Sequence, residues 1–200
     1  MTRVIAGAAG GRRLAVPPGR STRPTSDRAR EGLFSTWTSL LGDLEGVRVL
    51  DLYAGSGAVG LEALSRGAAH VLLVEADGRA ARTVRENIRA LGLPGAEART
   101  AKAEQVVAST PPEQPYEVVF LDPPYAVNDA ELCEILLTLR AQGWLADDAV
   151  VTVERSTRGG GFGWPTGFEG LRSRRYGEGT LWYGRALPAS ASEPMSGVPS

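Results

Sequence analysis

The chain has 200 residues, 42% of them hydrophobic and 22% charged, with a formal net charge of −1. These values suit one ordinary soluble globular domain with room for a sizeable core. They exclude a membrane-spanning helix, since no apolar run approaches the roughly 20 residues one needs, and the single Cys133 excludes an internal disulfide. The N-terminus lacks a signal-peptide core, and no Cys/His cluster offers metal ligands, so a cytoplasmic protein without a metal centre is expected.

Charge is unevenly distributed. Residues 1–40 hold Arg3, Arg12, Arg13, Arg20, Arg23, Arg28 and Arg30 against Asp27 and Glu31, a local net of +5, which leaves −6 for the rest of the chain. A basic arm on an acidic body is a footprint of a polyanionic partner. A solvated arginine-rich surface is the plainer alternative.

In chain order, Arg3 to Ala6 and Arg12 to Val16 are short strand candidates around the loop Gly7-Ala8-Ala9-Gly10-Gly11. Pro17-Pro18-Gly19 then breaks the chain. Thr25 or Ser26 can cap a helix whose apolar positions Leu33, Phe34, Trp37, Leu40 and Leu41 share one face. From Gly46 the pattern alternates. Strands are expected at Val47–Asp51, Val71–Glu75, Val118–Asp122 and Val150–Glu154, with a weaker one at Glu97–Thr100. Helices near 57–66, 78–91, 102–108 and 128–140 separate them, which implies a mostly parallel sheet covered on both faces. Cys133 reads as a buried helical thiol and His70 as a structural residue ahead of a strand. Leu171–Tyr176 and Thr180–Arg185 form an antiparallel pair around Gly177-Glu178-Gly179, and the tail from residue 188 is expected to be disordered.

Two segments carry chemistry. Asp122-Pro123-Pro124-Tyr125 follows the apolar run Val118–Leu121. Neither proline can donate to a sheet ladder, so the chain must turn away just past Asp122. A carboxylate, a proline carbonyl and an aromatic ring are thereby left at the carboxyl end of a strand, where open α/β sheets bind ligands. Two acceptors and a flat ring suit a planar group bearing an NH2. An ordinary Asp-Pro turn with a core tyrosine is the bland alternative.

The second segment, Asp51-Leu52-Tyr53-Ala54-Gly55-Ser56-Gly57-Ala58-Val59-Gly60, links a strand to a helix and contains Gly55-x-Gly57-x-x-Gly60. That spacing also fits a dinucleotide fingerprint. Asp51 precedes the glycines, where it would repel a pyrophosphate but favour the ammonium of S-adenosylmethionine. Glu75, ending the next strand, can accept ribose hydroxyls.

The combination resembles the class I methyltransferases that act on exocyclic amines, and more narrowly the bacterial guanine-N2 methyltransferases of small-subunit (16S) ribosomal RNA. The narrow resemblance rests on Arg23-Pro24-Thr25-Ser26-Asp27-Arg28-Ala29-Arg30-Glu31-Gly32-Leu33-Phe34, on Ala54 to Gly67, on Asp122-Pro123-Pro124-Tyr125 and on Gly143-Trp144-Leu145. It implies an α/β fold of the Rossmann-like, S-adenosylmethionine-dependent type: a mostly parallel seven-stranded sheet with helices on both faces, plus an N-terminal β-hairpin and helix. The hairpin and helix would be an RNA-engaging extension at 1–42, ahead of a methyltransferase domain at 43–187 and a tail at 188–200.

Carried over by position, Asp51, Tyr53, Ala54, Gly55, Ser56 and Gly57 would wrap the methionine end of S-adenosylmethionine. Glu75 and Ala76 would hold the ribose, Ala103 would border the adenine, and Asp122, Pro123, Pro124 and Tyr125 would receive the guanine. Arg12, Arg13, Arg20, Arg23 and Arg30 would engage RNA, the partner being the small ribosomal subunit or its 16S rRNA, met by a monomer. Relatives often carry Asp or Asn where Lys102 stands. Other amine methyltransferases, acting on DNA adenine-N6 or protein glutamine-N5, and a non-catalytic RNA-binding module are the competing readings.

Overall fold

The computed structural model describes residues 2–17 and 26–188. The chain opens with a two-residue antiparallel pair, β1 (Thr2–Arg3) and β2 (Arg13–Leu14). This is shorter than the expected hairpin because the flanking backbone bonds elsewhere. Ile5 and Ala6 donate to the Glu62 carboxylate at 2.6 and 3.0 Å, and Ala15 exchanges two bonds with the Asn87 side chain. Helix α1 (Asp27–Leu41) follows, capped by Ser26 as its sequence suggested.

Strand β3 (Arg48–Leu52) begins an alternation of strands and helices: α2 (Ala58–Ser65), β4 (His70–Glu75), α3 (Gly78–Leu91), β5 (Ala96–Thr100), α4 (Ala103–Val107), β6 (Tyr116–Leu121), α5 (Asp129–Ala141) and β7 (Leu145–Ser156). β8 (Phe168–Tyr176) and β9 (Gly179–Ala186) close the chain as a hairpin. The seven strands β3 to β9 form one sheet in the order β5-β4-β3-β6-β7-β9-β8. The first five pair in parallel, whereas β9 runs antiparallel to both β7 and β8.

Two apolar clusters flank the sheet, as a sheet buried on both faces requires. One gathers Leu33, Phe34 and Trp37 of α1 with residues of α2 and α3, and the other gathers α4 and α5 with Trp144 and Phe162. Trp37 anchors α1 across the sheet. Its indole N–H donates to Thr152 Oγ1 of β7 at 2.9 Å, a buried bond that leaves neither group unpaired.

Three expectations need correcting. β7 starts at Leu145, well before Val150, because a register shift against β6 between Tyr116 and Val118 absorbs the polar Asp147 and Asp148, the latter at φ 61°. Cys133 is only half-buried and donates to the Gly163 carbonyl at 3.4 Å, because it lies at the edge of the α5 face that carries Leu132, Ile135, Leu136 and Leu139. The strand candidates at Arg3 to Ala6 and Arg12 to Val16 are the third, for the reason given above. His70 contacts the Tyr116 hydroxyl at 3.3 Å, and burial lowers its pKa. The tail expected to be disordered falls, from residue 189 onward, outside the described residues.

Candidate active site

The sheet's chain path reverses between β3 and β6. From β3 the chain moves outward to β4 and β5, and from β6 outward in the other direction. Such a switch point opens a crevice at the carboxyl ends of its two strands. Asp51 lies at the end of β3, and Asp122 directly follows β6, its amide still donating to the Leu52 carbonyl at 3.4 Å.

The glycine loop between β3 and α2 is shaped by left-handed residues, with Gly55 at φ 60°, Gly57 at φ 79° and, unusually for a side-chain-bearing residue, Tyr53 at φ 65°. Two carboxylates hold it in place. Asp51 is fully buried, and its Oδ2 accepts the Gly60 N–H at 3.0 Å. Burial pushes the Asp51 carboxyl up from 3.8 to about 7; the Gly60 N–H opposes this and the nearby Glu75 adds to it. Glu75 accepts the Gly55 N–H at 2.9 Å with one oxygen and the Asp77 N–H at 2.8 Å with the other. It therefore ties the β3–α2 loop to the start of α3.

A cleft of about 440 Å³ adjoins this frame, lined by Tyr53, Val74, Ala76, Ala103, Val107 and Ile135 among others. Its apolar walls suit a flat heterocycle, and Glu75, between two of its lining residues, suits a diol. Of the residues expected around a cofactor, Tyr53, Ala76 and Ala103 line the cleft directly. Asp51, Ala54, Gly55, Ser56, Gly57 and Glu75 instead build the hydrogen-bonded frame: Ala54 donates to Val74, Gly57 to Ala54, and the Ser56 carbonyl accepts from Asn87. Sequence reasoning missed the contribution of α5, whose Glu131 and Ile135 reach the cleft from a distant segment. Burial, then Glu104 and Glu131, push the Tyr53 hydroxyl up to about 12. Lys102 also lines the cleft but turns its ammonium toward Glu104, at 3.8 Å.

The turn after β6 faces two cavities. Asp122 is half-buried and Pro123 buried, while the exposed Pro124 closes the turn by accepting the Val127 N–H at 3.0 Å. Val127 lines the cleft, whereas Tyr125, 78% exposed, lines a second cavity of about 340 Å³ with Ser156, Arg158 and Glu178. Arg158 and Glu178 were not among the expected site residues. The glycine-flanked Gly177-Glu178-Gly179 was the available signal, since it marks a tight turn at the site's edge.

The arginines expected to meet RNA separate into three groups. Arg30 is corrected: its guanidinium is fully buried and donates to Asp27 at 2.7 Å and to the Arg3 carbonyl at 2.7 Å, so it joins α1 to β1. Arg12 is exposed, and part of its guanidinium is engaged. Its guanidinium donates to the Leu91 carbonyl at 2.7 Å and to that of Ala90, capping the end of α3. Arg13 is exposed on β2, and Arg20 and Arg23 lie outside the described residues. Among the described residues no group of three or more His, Cys, Asp or Glu is arranged to hold a metal ion, and no helix is long and apolar enough to cross a membrane.

The strand order, the reversed β9 and the carboxylates at three strand ends define a class I, Rossmann-like methyltransferase fold. A family model described as conserved hypothetical protein 95 matches residues 2–185. Ribosomal RNA small subunit methyltransferase D of Escherichia coli K12 is 38% identical over 158 residues, 79% of this chain and 76% of that protein. A solved Escherichia coli structure described as "Putative methyltransferase yhhF" superposes with a TM-score of 0.80 at 33% identity, covering 93% of this chain and 98% of that one. A magnesium protoporphyrin IX methyltransferase from Synechocystis, solved with bound SAM, shares the fold alone, with a TM-score of 0.61 at 15% identity over 80% of this chain and 78% of that one. The chain belongs to the ribosomal RNA small subunit methyltransferase D family.

Proposed function

We propose that the protein transfers a methyl group from S-adenosylmethionine to the exocyclic N2 amine of one guanine in the 16S rRNA of the small ribosomal subunit. The observation that carries this reading is the placement of Asp122-Pro123 beside β3 at the sheet's switch point, with the cleft on one side and Tyr125 on the other. The names of the relatives support the rRNA substrate. A methyltransferase neighbour with bound SAM supports the cofactor. The guanine N2 atom rests on the resemblance of the motifs.

The residues fit S-adenosylmethionine. Tyr53, Ala76 and Ala103 would flank the adenine and ribose, Glu75 would accept ribose hydroxyls, and Asp51 would favour the ammonium. The bound cofactor supplies a methyl group already activated by its positive sulfur. The protein's task is then mainly positioning. A guanine amine is a poor nucleophile because its lone pair is delocalised into the ring. Asp122 and the Pro123 carbonyl accept its two protons and so orient that lone pair, and Asp122 takes up the proton shed after transfer. Tyr125 stacks on the extruded base, an interaction worth ~1–3 kcal/mol. Of the expected RNA contacts, this reading keeps Arg13, Arg20 and Arg23 and assigns the exposed Arg12 to capping α3. The enzyme would act as a monomer in the cytoplasm, where small subunits are assembled.

The test is methyl transfer from labelled S-adenosylmethionine to small subunits from a strain lacking the gene, followed by nucleoside analysis. Label in N2-methylguanosine at one position is expected. Label found only on DNA or protein would move the activity to another amine methyltransferase class, and none anywhere would overturn the enzymatic reading.

A further inference from the structure

The second cavity adjoins the turn after β6 through Tyr125, three residues past Asp122. β6 and β7 pair through Leu121 and Val153, so the chain segments that follow, Asp122 to Tyr125 and Ser156 to Arg158, emerge side by side. The turn of the β8–β9 hairpin folds over them: the Thr157 N–H donates to the Glu178 carbonyl at 2.8 Å, and the Thr157 and Thr180 hydroxyls meet at 3.0 Å. These bonds hold the turn through its backbone and threonines. The Arg158 and Glu178 side chains, 88% and 63% exposed, meet at 3.9 Å and line the cavity with Tyr125. An ion pair that long and that exposed contributes little to stability. Its placement matters more: one acceptor and one forked donor stand beside Tyr125 in a cavity of about 340 Å³.

We propose that Glu178 and Arg158 select guanine among the amine-bearing bases, Glu178 by accepting its N1–H and Arg158 by donating to its O6. This rests on the base-methylation reading above. The chemistry discriminates because guanine alone carries a ring N–H next to its amine, followed by a carbonyl. Adenine and cytosine present a ring acceptor beside the amine, which a carboxylate repels; adenine also lacks a carbonyl on the far side of that ring nitrogen, whereas cytosine has one, so Glu178 alone separates guanine from cytosine. A flipped base is read along this edge, and Arg is a common partner of guanine O6. Asp122 and the Pro123 carbonyl can serve any exocyclic amine; the Glu178–Arg158 pair supplies the distinction they lack.

The experiment compares wild type, Glu178→Ala, Glu178→Gln and Arg158→Ala on small subunits lacking the modification, together with S-adenosylmethionine affinity and thermal midpoint for each. Glu178→Ala and Arg158→Ala should each lower kcat/KM for subunits by roughly tenfold to a hundredfold, the value of one good polar contact to a base edge. Cofactor affinity and midpoint should stay unchanged, and Glu178→Gln, which keeps an acceptor oxygen, should recover part of the loss. Variants within twofold of an active wild type would overturn the proposal, as would a parallel loss of cofactor affinity or folding in both alanine variants. A wild type that forms no N2-methylguanosine would instead overturn the underlying reading, whatever the variants do.

Discussion

The Asp51 carboxylate and the Gly60 amide meet at 3.0 Å inside the core, joining the end of β3 to the first turn of α2. The contact is possible only because residue 60 has no side chain. A Cβ there would stand 2.7 Å from Val71 Cγ1, 2.8 Å from Leu73 Cδ2 and 3.2 Å from the same Asp51 oxygen. Two of those neighbours belong to β4, whose side chains are packed on both faces and have little room to move.

Gly60→Ala should therefore destabilise the protein by ~1–3 kcal/mol, the usual range for overpacking a core. The thermal midpoint should fall by several degrees, and cofactor affinity should weaken as α2 shifts away from Asp51. An unchanged midpoint would show that α2 shifts freely enough to accept the added methyl group.

Asp51 also predicts a pH dependence. Its carboxyl is raised from 3.8 to about 7 by burial, so the folded protein holds a proton that the unfolded chain releases. The stability linked to this group is full below pH 3.8 and is lost as pH rises through about 7. Denaturant titrations of the cofactor-free protein should show this loss, and Asp51→Asn should flatten it. A bound ammonium would favour the ionised form, so cofactor affinity should increase across the same interval. Affinity independent of pH there would separate Asp51 from the cofactor.

Asp122→Ala should abolish turnover while leaving cofactor affinity nearly intact, since Asp122 follows β6 and is not among the residues that line the cleft. Single-turnover methylation and equilibrium binding of the cofactor would separate the two effects. Near-normal methylation by this variant would overturn the assignment of the reacting site.

Arg12 and Arg13 are neighbours in sequence with opposite expected behaviour. Arg12→Ala should lower stability by ~0.3–1 kcal/mol by uncapping α3, with no change in the salt dependence of RNA binding. Arg13→Ala should leave stability alone and reduce the salt slope by ~0.7, the value of one phosphate contact to a single strand. Equal salt slopes for the two variants would remove Arg13 from the RNA surface.

Much of this was legible from local chemistry. The Ser26 cap, the apolar stripe Leu33-Phe34-Trp37, the alternation from β3 onward and the proline break after Asp122 follow from residue types and spacings, and each appears in the structure within a few residues of its expected place. Where the reading failed, a long-range contact decided the outcome. Arg30 was counted as a surface cation, yet β1 and Asp27 enclose it. The expected hairpin strands were shortened because Glu62 and Asn87, on α2 and α3, took the backbone groups that a longer ladder would have used.

The α/β alternation, the glycine loop and the acidic strand ends follow from residue types alone, because backbone freedom, proline's missing N–H and apolar periodicity act within a few residues. Which charges are exposed and which side chains share a cavity was settled by long-range packing. Exposure depends on what packs above a residue, and Tyr125, Arg158 and Glu178 meet only after the sheet has set β6, β7 and the β8–β9 turn side by side.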